Sequence, residues 1–371
     1  MKKITEASDL KGKFVLLRAS LNIPLKDGKI RNLFRLEQAL PTLRYLHEQG
    51  AKVILLGHIG RKSDETLKPV YSELEKYLPI HWGGFVTTEG FRQRRELMQD
   101  GDILMAENLR QDEREKSNDD EFVGLLASLG DIFVNDAFAA AHREHASTYG
   151  LAQKLPAYAG LTFTEEVNEL SKVMEPKSPS LFLLGGSKFD TKMPLIEKYM
   201  DIYDSVFIGG AIMSDVLKAL GYEVGQSLVS DVSLKGKDFL KSKKLILPID
   251  VIVDGPDGQQ TKTIDKVTSE EKILDCGSMT VDMLATYIEN AKTILWNGPF
   301  GAYEMGYTQG TEVTARRVAA ADAFTVIGGG DTVAAVEKLE INEMFGFVSI
   351  GGGSMLAFLE HGTTPVIELL K

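Results

Sequence analysis

The sequence has little of what marks secreted and membrane proteins. It contains one cysteine, Cys276, which cannot form an internal disulfide bond. None of its apolar runs approaches the roughly 20 residues needed to span a bilayer. The opening stretch MKKITEASDL lacks the apolar core of a signal peptide. Together these absences predict a protein of the reducing cytoplasm with no membrane partner.

Positive charge is also in deficit, because 42 Lys and Arg residues stand against 53 Asp and Glu residues, a formal net charge of -11. This balance disfavours nucleic acid as a partner and leaves any anion binding to local clusters. A hydrophobic content of 43% with 26% charged residues is typical of globular proteins. At 371 residues the chain exceeds the usual size of one hydrophobic core, which predicts two domains.

Arginine is absent between Arg143 and Arg316, whereas it is frequent before Arg143. The change coincides with a helical pattern that ends in a Pro/Ser-rich stop, LPAYAGLTFTEEVNELSKVMEPKSPS. We therefore predict an N-terminal domain over 1–157, a connecting helix and linker over 158–177, and a C-terminal domain over 178–361.

Apolar runs of strand length recur along the whole chain, and each is followed by a turn and a segment of helical period. The runs are FVLLRASL, KVILLG, DILMAEN, DIFVND, SLFLLGG, SVFIGG, KLILPIDVIV, TILWNG, FTVIGGGD and FVSIGGG. Continuous apolarity is typical of strands that are buried on both faces, so we predict an α/β fold with two doubly wound parallel sheets. The first crossover helix is indicated by Leu33, Leu36, Leu40, Leu43 and Leu46, which recur at helical spacing.

Charged and polar side chains follow the predicted strands of the N-terminal half. They are Arg18, Asn22, Arg35, His58, Arg61, Glu107, Arg110, Asn135, Asp136, His142 and Arg143. Several arginines converging on one sheet edge indicate a small, multiply anionic ligand, because guanidinium groups bind carboxylate and phosphate bidentately. Surface ion pairs are the alternative for any one of them. His142 and His145 also suggest a metal, but they lack a third ligand and flank an arginine, which favours an anion.

Glycine takes the place of arginine at the strand ends of the C-terminal half. The positions are Gly185, Gly186, Gly209, Gly210, Gly298, Gly328 to Gly330 and Gly351 to Gly353. Neither the GxxxxGK[ST] pattern nor GxGxxG is present. Glycines between a strand and a helix leave backbone N–H groups free for a phosphate, although a tight turn alone also requires glycine.

Charged residues beside these glycines favour a nucleotide. Lys188 and Lys192, in LLGGSKFDTK, supply positive charge next to the first glycine pair. Asp331, at the start of a predicted helix, is placed to bind Mg²⁺ directly or through water. Glu304 is placed to accept hydrogen bonds from ribose hydroxyls, although an acid at a helix N-terminus is also favoured by the helix dipole.

The chain resembles the phosphoglycerate kinase family from end to end. The segments that carry the resemblance are LNIPLKDGKI, GHIGR, AENLR, VNDAFAAAHREHAST, LPID, WNGPFGAYE, IGGGDT and SIGGGS, in the order and spacing of the family. The resemblance implies two Rossmann-like domains that close on each other and transfer a phosphoryl group between 1,3-bisphosphoglycerate and MgADP, giving 3-phosphoglycerate and MgATP. It also implies a monomer whose residues 362–371 pack on the N-terminal domain.

The same resemblance assigns the site residues. The phosphoglycerate ligands would be Ser20, Asn22, Arg35, His58, Arg61, Arg110 and Arg143. The nucleotide contacts would be Gly186, Lys188, Gly210, Asn297, Glu304, Gly329, Gly330, Asp331 and Thr332, with Asp331 toward Mg²⁺. The catalytic positions would be Arg35, Lys192, Gly329 and Gly352.

Several positions depart from the family pattern, and two of them bear most on the site. Ser20 stands where an aspartate is common, and Ile350 stands where a threonine precedes Gly351. They leave two alternatives to an active phosphoglycerate kinase: a pseudoenzyme that binds both ligands with little turnover, and a kinase for another small acid phosphate.

Overall fold

The structure, a computed structural model, describes residues 1–26, 28–30, 33–234 and 236–371. It has two compact units, of which the first comprises Met1–Asn168 with His361–Lys371 and the second Glu169–Glu360. The division lies inside the segment that the sequence indicates as a connector. It lies within a continuous helix, so residues of that helix belong to both units.

The elements of the first unit come in β/α alternation. They are β1 (Phe14–Ala19), β2 (Leu25–Lys26), β3 (Lys29–Ile30), α1 (Phe34–Glu37), α2 (Leu40–Glu48), β4 (Lys52–Leu56), α3 (Lys68–Leu74), β5 (Ile80–Gly84), α4 (Glu89–Glu96), β6 (Ile103–Ala106), α5 (Asp120–Ala127), β7 (Ile132–Asp136), α6 (Leu151–Lys154), β8 (Ala157–Ala159) and α7 (Leu161–Met174).

The second unit continues the alternation and adds antiparallel strands. Its elements are β9 (Ser180–Leu184), α8 (Phe189–Ile202), β10 (Ser205–Ile208), α9 (Gly210–Ala219), β11 (Leu245–Ile246), β12 (Asp250–Asp254), β13 (Gln260–Thr263), β14 (Lys272–Cys276), α10 (Ser278–Asn290), β15 (Thr293–Asn297), α11 (Gln309–Ala319), β16 (Phe324–Gly328), α12 (Gly330–Lys338), β17 (Phe347–Ser349) and α13 (Gly353–His361). The last helix, α14 (Pro365–Leu369), belongs to the first unit.

The main sheet of the first unit is parallel throughout, in the order β5-β6-β4-β1-β7-β8. Alternate residues of each strand enter different hydrophobic clusters. In β1, Val15 and Leu17 pack with one cluster and Leu16 packs with the other. Both faces of the sheet are therefore covered, which confirms the doubly wound α/β prediction.

The second unit has a parallel sheet of the same kind, in the order β11-β10-β9-β15-β16-β17. On one face Leu181 and Trp296 belong to a large cluster. On the other face the ring of Phe182 lies 5.1 Å from that of Tyr199, on α8, and 5.8 Å from that of Tyr203, which follows α8. The prediction of two parallel-sheet domains is thus confirmed in both units.

One strand prediction is wrong. The run KLILPIDVIV forms two strands, because Pro248 cannot donate a ladder hydrogen bond. β11 is an edge of the parallel sheet, whereas β12 is the centre of an antiparallel sheet in the order β13-β12-β14.

The first crossover is also divided. The leucine stripe lies on two helices, α1 and α2, with Pro41 in the first turn of α2. Proline is accommodated there because the first turn has no intrahelical use for its missing N–H. The stripe still forms core, since Leu36, Leu40, Leu43 and Leu46 are all buried.

No helix in the described ranges is both long enough and apolar enough to cross a membrane.

Candidate functional site

The carboxyl ends of several strands of the first sheet meet at one edge. The register pairs Arg18 of β1 with Leu56 of β4 and Asn135 of β7, and Leu55 with Met105 of β6. The following loops therefore start side by side, as ligand-binding loops do in open α/β sheets. They carry the sequence-predicted residues Ser20, Asn22, His58, Arg61, Arg110 and Arg143.

A turn at Gly60 links three of these loops. Gly60 has a φ of +65°, its N–H donates to Asn22 Oδ1 at 2.8 Å, and its carbonyl oxygen accepts from Arg110 Nη1. The carboxylate of Glu65 accepts from the backbone N–H of Arg61 at 2.7 Å. The turn thus holds Asn22 and Arg110 in place. The carboxylate of Glu65 nearby accepts a hydrogen bond from the backbone.

Positive charges crowd this edge. Burial lowers the pKa of Arg110, and the charges of Arg143 and Arg61 lower it further. Burial lowers the pKa of His142 and of His145 to about 4, and in both cases Arg143 is the next cause. The cations repel one another, and a multiply anionic ligand relieves that repulsion.

One further predicted residue, Arg35, lies in the crossover that follows β1. Arg35, on α1, is half-buried, and none of the residues described hydrogen bonds to its guanidinium. Ser20, directly after β1, is half-buried, and His58 is 8% exposed. Arg35 therefore keeps its donors for a ligand.

Some polar residues that end the strands are bonded within the protein instead. These are Arg18, Glu107, Asn135 and Asp136. Glu107 Oε1 accepts from the N–H of Leu67 at 2.9 Å, and Asp136 Oδ1 accepts from the N–H of Phe163 at 2.8 Å. All four side chains are buried, so they support the loops and do not face the open edge.

The second sheet offers a similar edge. Its register pairs Leu184 with Ile208 and Asn297, Asn297 with Gly328, and Gly328 with Ser349. The helices α8, α9 and α12 begin shortly after three of these strand ends, at N-cap residues Lys188, Gly209 and Gly329.

None of these three N-caps makes a side-chain hydrogen bond to its helix in the described structure. Helix starts carry the positive end of the helix dipole, and those without side-chain caps can leave N–H groups for a ligand. In α9 the N–H groups of Gly210 and Ile212 donate to the carbonyl oxygens of Phe300 and Gly186, so this helix contributes mainly through its dipole. Three helix starts at one sheet edge favour a phosphate-bearing ligand.

The glycines let these loops approach closely. A Cβ at Gly210 would lie 2.4 Å from the backbone N of Gly186, and a Cβ at Gly298 would lie 2.6 Å from Lys192 Nζ. Gly298 also has a φ of +97°, which side chains rarely adopt. Glycine is required here by both space and backbone conformation.

Replacing Gly298 with alanine is expected to lower kcat about tenfold, because the new methyl group displaces the Lys192 ammonium. Gly221→Ala is the matched control, since Gly221 has a φ of +92° with nothing within 4 Å of its Cβ position. Backbone strain should cost each variant about 1–2 kcal/mol in urea unfolding. Gly298→Ala should lose more, because its Cβ would also lie 2.3 Å from the carbonyl oxygen of Gly185. An equal loss of turnover in the two would contradict the steric explanation.

Lys192 lies in the first turn of α8 and is 7% exposed. Its Nζ donates to the carbonyl oxygen of Gly185 at 2.5 Å. Burial lowers the pKa of Lys192, Asp331 opposes the shift and Lys188 adds to it, so that the pKa is about 8. A desolvated ammonium among glycine backbones is well placed to neutralise a phosphoryl group.

A cavity of about 470 Å³ opens beside these loops. Its lining includes the predicted residues Gly186, Gly210, Glu304 and Asp331. It also includes the apolar side chains Met213, Leu228, Leu274 and Phe300, which sequence reasoning missed because they come from four separate segments. An apolar cavity with a few polar groups at its rim is typical of a small-molecule site.

Other predicted nucleotide residues do not line this cavity. Thr332 is buried and its Oγ1 accepts from the N–H of Gly298 at 2.8 Å, and Asn297 is 2% exposed. Lys188 is exposed, beside Lys192. Gly329 and Gly352 both have positive φ, +97° and +53°, at the starts of their helices.

The position of Asp331 suits a magnesium ion that is coordinated mainly by the phosphates of a bound small molecule. It is an exposed carboxylate in the first turn of α12 and on the cavity lining. Across the described residues no three His, Cys, Asp or Glu side chains group to hold a metal alone. Mg²⁺ is commonly bound through one or two carboxylates and substrate phosphates, which agrees with this donor set.

The fold and these features define a two-domain α/β protein with a cationic sheet edge in one domain and a glycine-lined edge beside a cavity in the other. The phosphoglycerate kinase family model matches residues 4–362. The chain belongs to the phosphoglycerate kinase family, whose activity is that of a phosphotransferase with a carboxyl group as acceptor.

Individual relatives agree with this family. Phosphoglycerate kinase of Pelotomaculum thermopropionicum is 39% identical over 388 residues, which cover 100% of this chain and 99% of that protein. The Dictyoglomus turgidum protein is 38% identical over 384 residues, covering 98% and 96%. The solved structure from Coxiella burnetii has a TM-score of 0.85 at 37% identity, covering 99% of this chain and 97% of that one. The Pyrococcus horikoshii structure has a TM-score of 0.87 at 27% identity, covering 100% and 98%.

Proposed function

We propose that this chain catalyses reversible phosphoryl transfer between 1,3-bisphosphoglycerate and MgADP, giving 3-phosphoglycerate and MgATP, as a step of glycolysis and gluconeogenesis. The observation that carries the proposal is the family match over residues 4–362. The cationic sheet edge and the glycine-lined cavity support it independently, because they suit two anionic ligands of different size.

The first unit binds the phosphoglycerate through Ser20, Asn22, Arg35, His58, Arg61, Arg110 and Arg143. Arg61, Arg110 and Arg143 neutralise its negative charge, while Asn22 and Ser20 hydrogen bond to it. The crowding of the arginines supports this assignment, because it is unfavourable unless an anion is bound.

The second unit binds the nucleotide. Gly329 and Gly330 offer backbone N–H groups to the phosphates, with Lys188 as an additional cation, and Glu304 hydrogen bonds to the ribose. Gly186 and Gly210 line the cavity and leave room for the nucleotide, since their own N–H groups donate to the carbonyl oxygens of Pro299 and Phe300. Asn297 and Thr332 hold the glycine loops in position. Asp331 would hold Mg²⁺ together with the phosphates, where the ion neutralises their charge.

Catalysis by this chain requires positioning and charge, not proton transfer. The attacking carboxylate or phosphate oxygen carries no proton at neutral pH, so the site needs no general base. Arg35 and Lys192 stabilise the charge on the transferred group, with the N–H groups of Gly329 and Gly352 beside it. The two ligands bind in different units, so the chemistry requires domain closure, which also excludes water from the acyl phosphate.

The departures at Ser20 and Ile350 do not favour another function. Ser20 keeps a hydroxyl that donates and accepts a hydrogen bond. Ile350 is buried, so its side chain is shielded from a bound phosphate. Neither the comparisons nor the described residues support a pseudoenzyme or a different acid substrate. We further propose that the enzyme acts as a cytoplasmic monomer.

A coupled assay tests the proposed function. The protein is incubated with 3-phosphoglycerate and MgATP, and a dehydrogenase that consumes the acyl phosphate reports turnover as NADH oxidation. We expect steady turnover that depends on both substrates and on Mg²⁺. Calorimetric binding of both ligands without turnover would overturn the proposal in favour of a pseudoenzyme.

A further inference from the structure

A buried chain of hydrogen bonds runs beneath the cationic edge of the first unit. Ser147 Oγ donates to Glu115 Oε1 at 2.6 Å, and Ser147 N–H donates to Glu115 Oε2 at 3.0 Å. Arg18 Nε donates to Ser147 Oγ at 2.8 Å, and Arg18 Nη2 lies 2.6 Å from His58 Nδ1. These hydrogen bonds thus connect the carboxylate of Glu115, on one loop, to the imidazole of His58, on another.

The direction of each hydrogen bond follows from the donors available. The hydroxyl of Ser147 has one hydrogen, and the carboxylate of Glu115 accepts it. The oxygen of Ser147 therefore accepts from Arg18. A guanidinium only donates, so His58 Nδ1 accepts from Arg18 and carries no hydrogen. The ring hydrogen of His58 must then be on Nε2.

Burial, reinforced by nearby positive charge, keeps His58 in this neutral form. The pKa of His58 lies far below its ordinary value, first because the ring is buried and then because of surrounding positive groups. Those groups are the guanidinium groups of Arg18, Arg110 and Arg143. A neutral imidazole with its hydrogen on Nε2 can donate one hydrogen bond to an anion and cannot change its charge at working pH.

Glu115 supplies the negative charge that this arrangement needs. Burial raises the pKa of Glu115, but the charge of Arg18 and the hydrogen bonds from Ser147 oppose that shift and favour the carboxylate. It is 1% exposed, as is Arg18, so neither is screened well by water. Glu115 opposes the lowering of the pKa of Arg18, which burial brings to about 10. A buried guanidinium without a counter-charge is strongly unfavourable. Loss of Glu115 would therefore weaken the hold of Arg18 on His58.

We propose that Glu115 is a positioning residue for phosphoglycerate binding, which acts through Ser147 and Arg18 to fix the tautomer of His58 so that Nε2 donates to the bound anion. Glu115 itself is buried and does not touch the substrate. The inference rests on the proposed function only in naming the anion that His58 meets.

The first test measures the ring of His58 directly. In protein labelled with ¹⁵N at histidine, we expect His58 to show one unprotonated nitrogen and one N–H nitrogen, assigned as Nε2, unchanged between about pH 5 and 9. Glu115→Gln should produce a second, Nδ1-protonated form. A wild-type hydrogen on Nδ1 would overturn the proposal, and this result does not depend on turnover.

The second test measures the Michaelis constants of Glu115→Gln. We expect the KM for 3-phosphoglycerate to rise about tenfold, the equivalent of one hydrogen bond to a charged group, with little change in the KM for MgATP. Leu46→Ala is the control, because Leu46 is buried in the last turn of α2 in the same unit and belongs to a different hydrophobic cluster from Ala146, the neighbour of Ser147. The control variant should be less stable than the wild type, but both of its KM values should be unchanged.

A second variant covers the case in which Glu115→Gln does not fold. Ser147→Ala keeps both charges and removes the hydroxyl between them, so it should raise the same KM selectively. Equal changes in both KM values, or none, would overturn the proposal. If the wild type binds phosphoglycerate without turnover, the proposed function fails, and calorimetric affinities for the two ligands replace the KM values in the same comparison.

Discussion

Replacing Arg35 with alanine is expected to lower kcat about 1,000-fold, within the range that a transition-state arginine contributes in phosphoryl transfer. The guanidinium is half-buried on α1, and none of the residues described competes for its donors. It is therefore free to bind the charge that develops on the transferred group. Steady-state kinetics in the coupled assay give kcat and both KM values.

Arg44→Ala is the matched control for this experiment. Arg44 is an exposed arginine on α2, the other helix of the same crossover. It should keep the turnover of the wild type, since removing an isolated surface charge has little effect on a distant reaction. Similar turnover of the two variants would contradict the catalytic role of Arg35.

Replacing Lys192 with methionine is expected to lower kcat about 100- to 1,000-fold while the KM for MgATP changes much less. The reason is that a buried ammonium acts mainly on the charge of the transition state. A rise in KM with an unchanged kcat would instead assign Lys192 to ground-state nucleotide binding.

The same substitution should stabilise the fold near neutral pH. Burial lowers the pKa of Lys192 in the folded state to about 8, against 10.5 for the ordinary group. Below about pH 8 the lysine is charged in both states, so the folded state carries the whole desolvation penalty. As pH rises from 8 toward 10.5, the folded state loses its proton first and the penalty disappears.

Lys192→Met should therefore be more stable than the wild type by about 1–3 kcal/mol at pH 7, and this difference should shrink above pH 8. Urea unfolding at several pH values measures it. A variant that is less stable at pH 7 would show that the hydrogen bond to Gly185 outweighs desolvation. The kcat/KM of the wild type should likewise fall as pH rises past about 8, because the free enzyme loses the ammonium.

The sequence predicts the central strands of the two parallel sheets because their apolar runs are continuous. None of the predicted runs covers the edge strands β5 and β8 or the antiparallel strands β13 and β14. The same rule fails at KLILPIDVIV, where Pro248 divides the apolar run. The part before Pro248 contains β11 of the parallel sheet, and the part after it contains β12 of the antiparallel sheet. An apolar run indicates that a strand is buried, but it does not indicate which sheet the strand joins.

The candidate site is less predictable because the type of a residue does not reveal in which direction its side chain points. Arg18 and Arg110 both follow the pattern of an anion ligand, yet Arg18 is bonded to Ser147 and Ala19 beneath the edge. Likewise Lys188 and Lys192 are close in sequence, but one is exposed and the other is buried. What distinguishes the two is their position on α8, because Lys188 is the N-cap and Lys192 lies in the first turn.

The apolar walls of the cavity were missed for another reason. Met213, Leu274 and Phe300 are unremarkable core residues in sequence, and they share one cavity only because α9, β14 and the loop after β15 converge. Nothing in the local sequence of any of them indicates a ligand. Their identification required the fold.

The pairing of Lys2 with Leu370 has a consequence for synthesis on the ribosome. Lys2 N–H donates to the carbonyl oxygen of Leu370 at 2.7 Å, and the carbonyl oxygen of Lys2 accepts from Ala159 at 2.8 Å. The second unit is one continuous stretch, Glu169–Glu360, whereas the first needs α14 to be complete. Translation emits residues one by one, at about 5–20 per second. Synthesis of the first unit therefore begins first and ends last. The second unit can fold before α14, the final helix of the first unit, has been made.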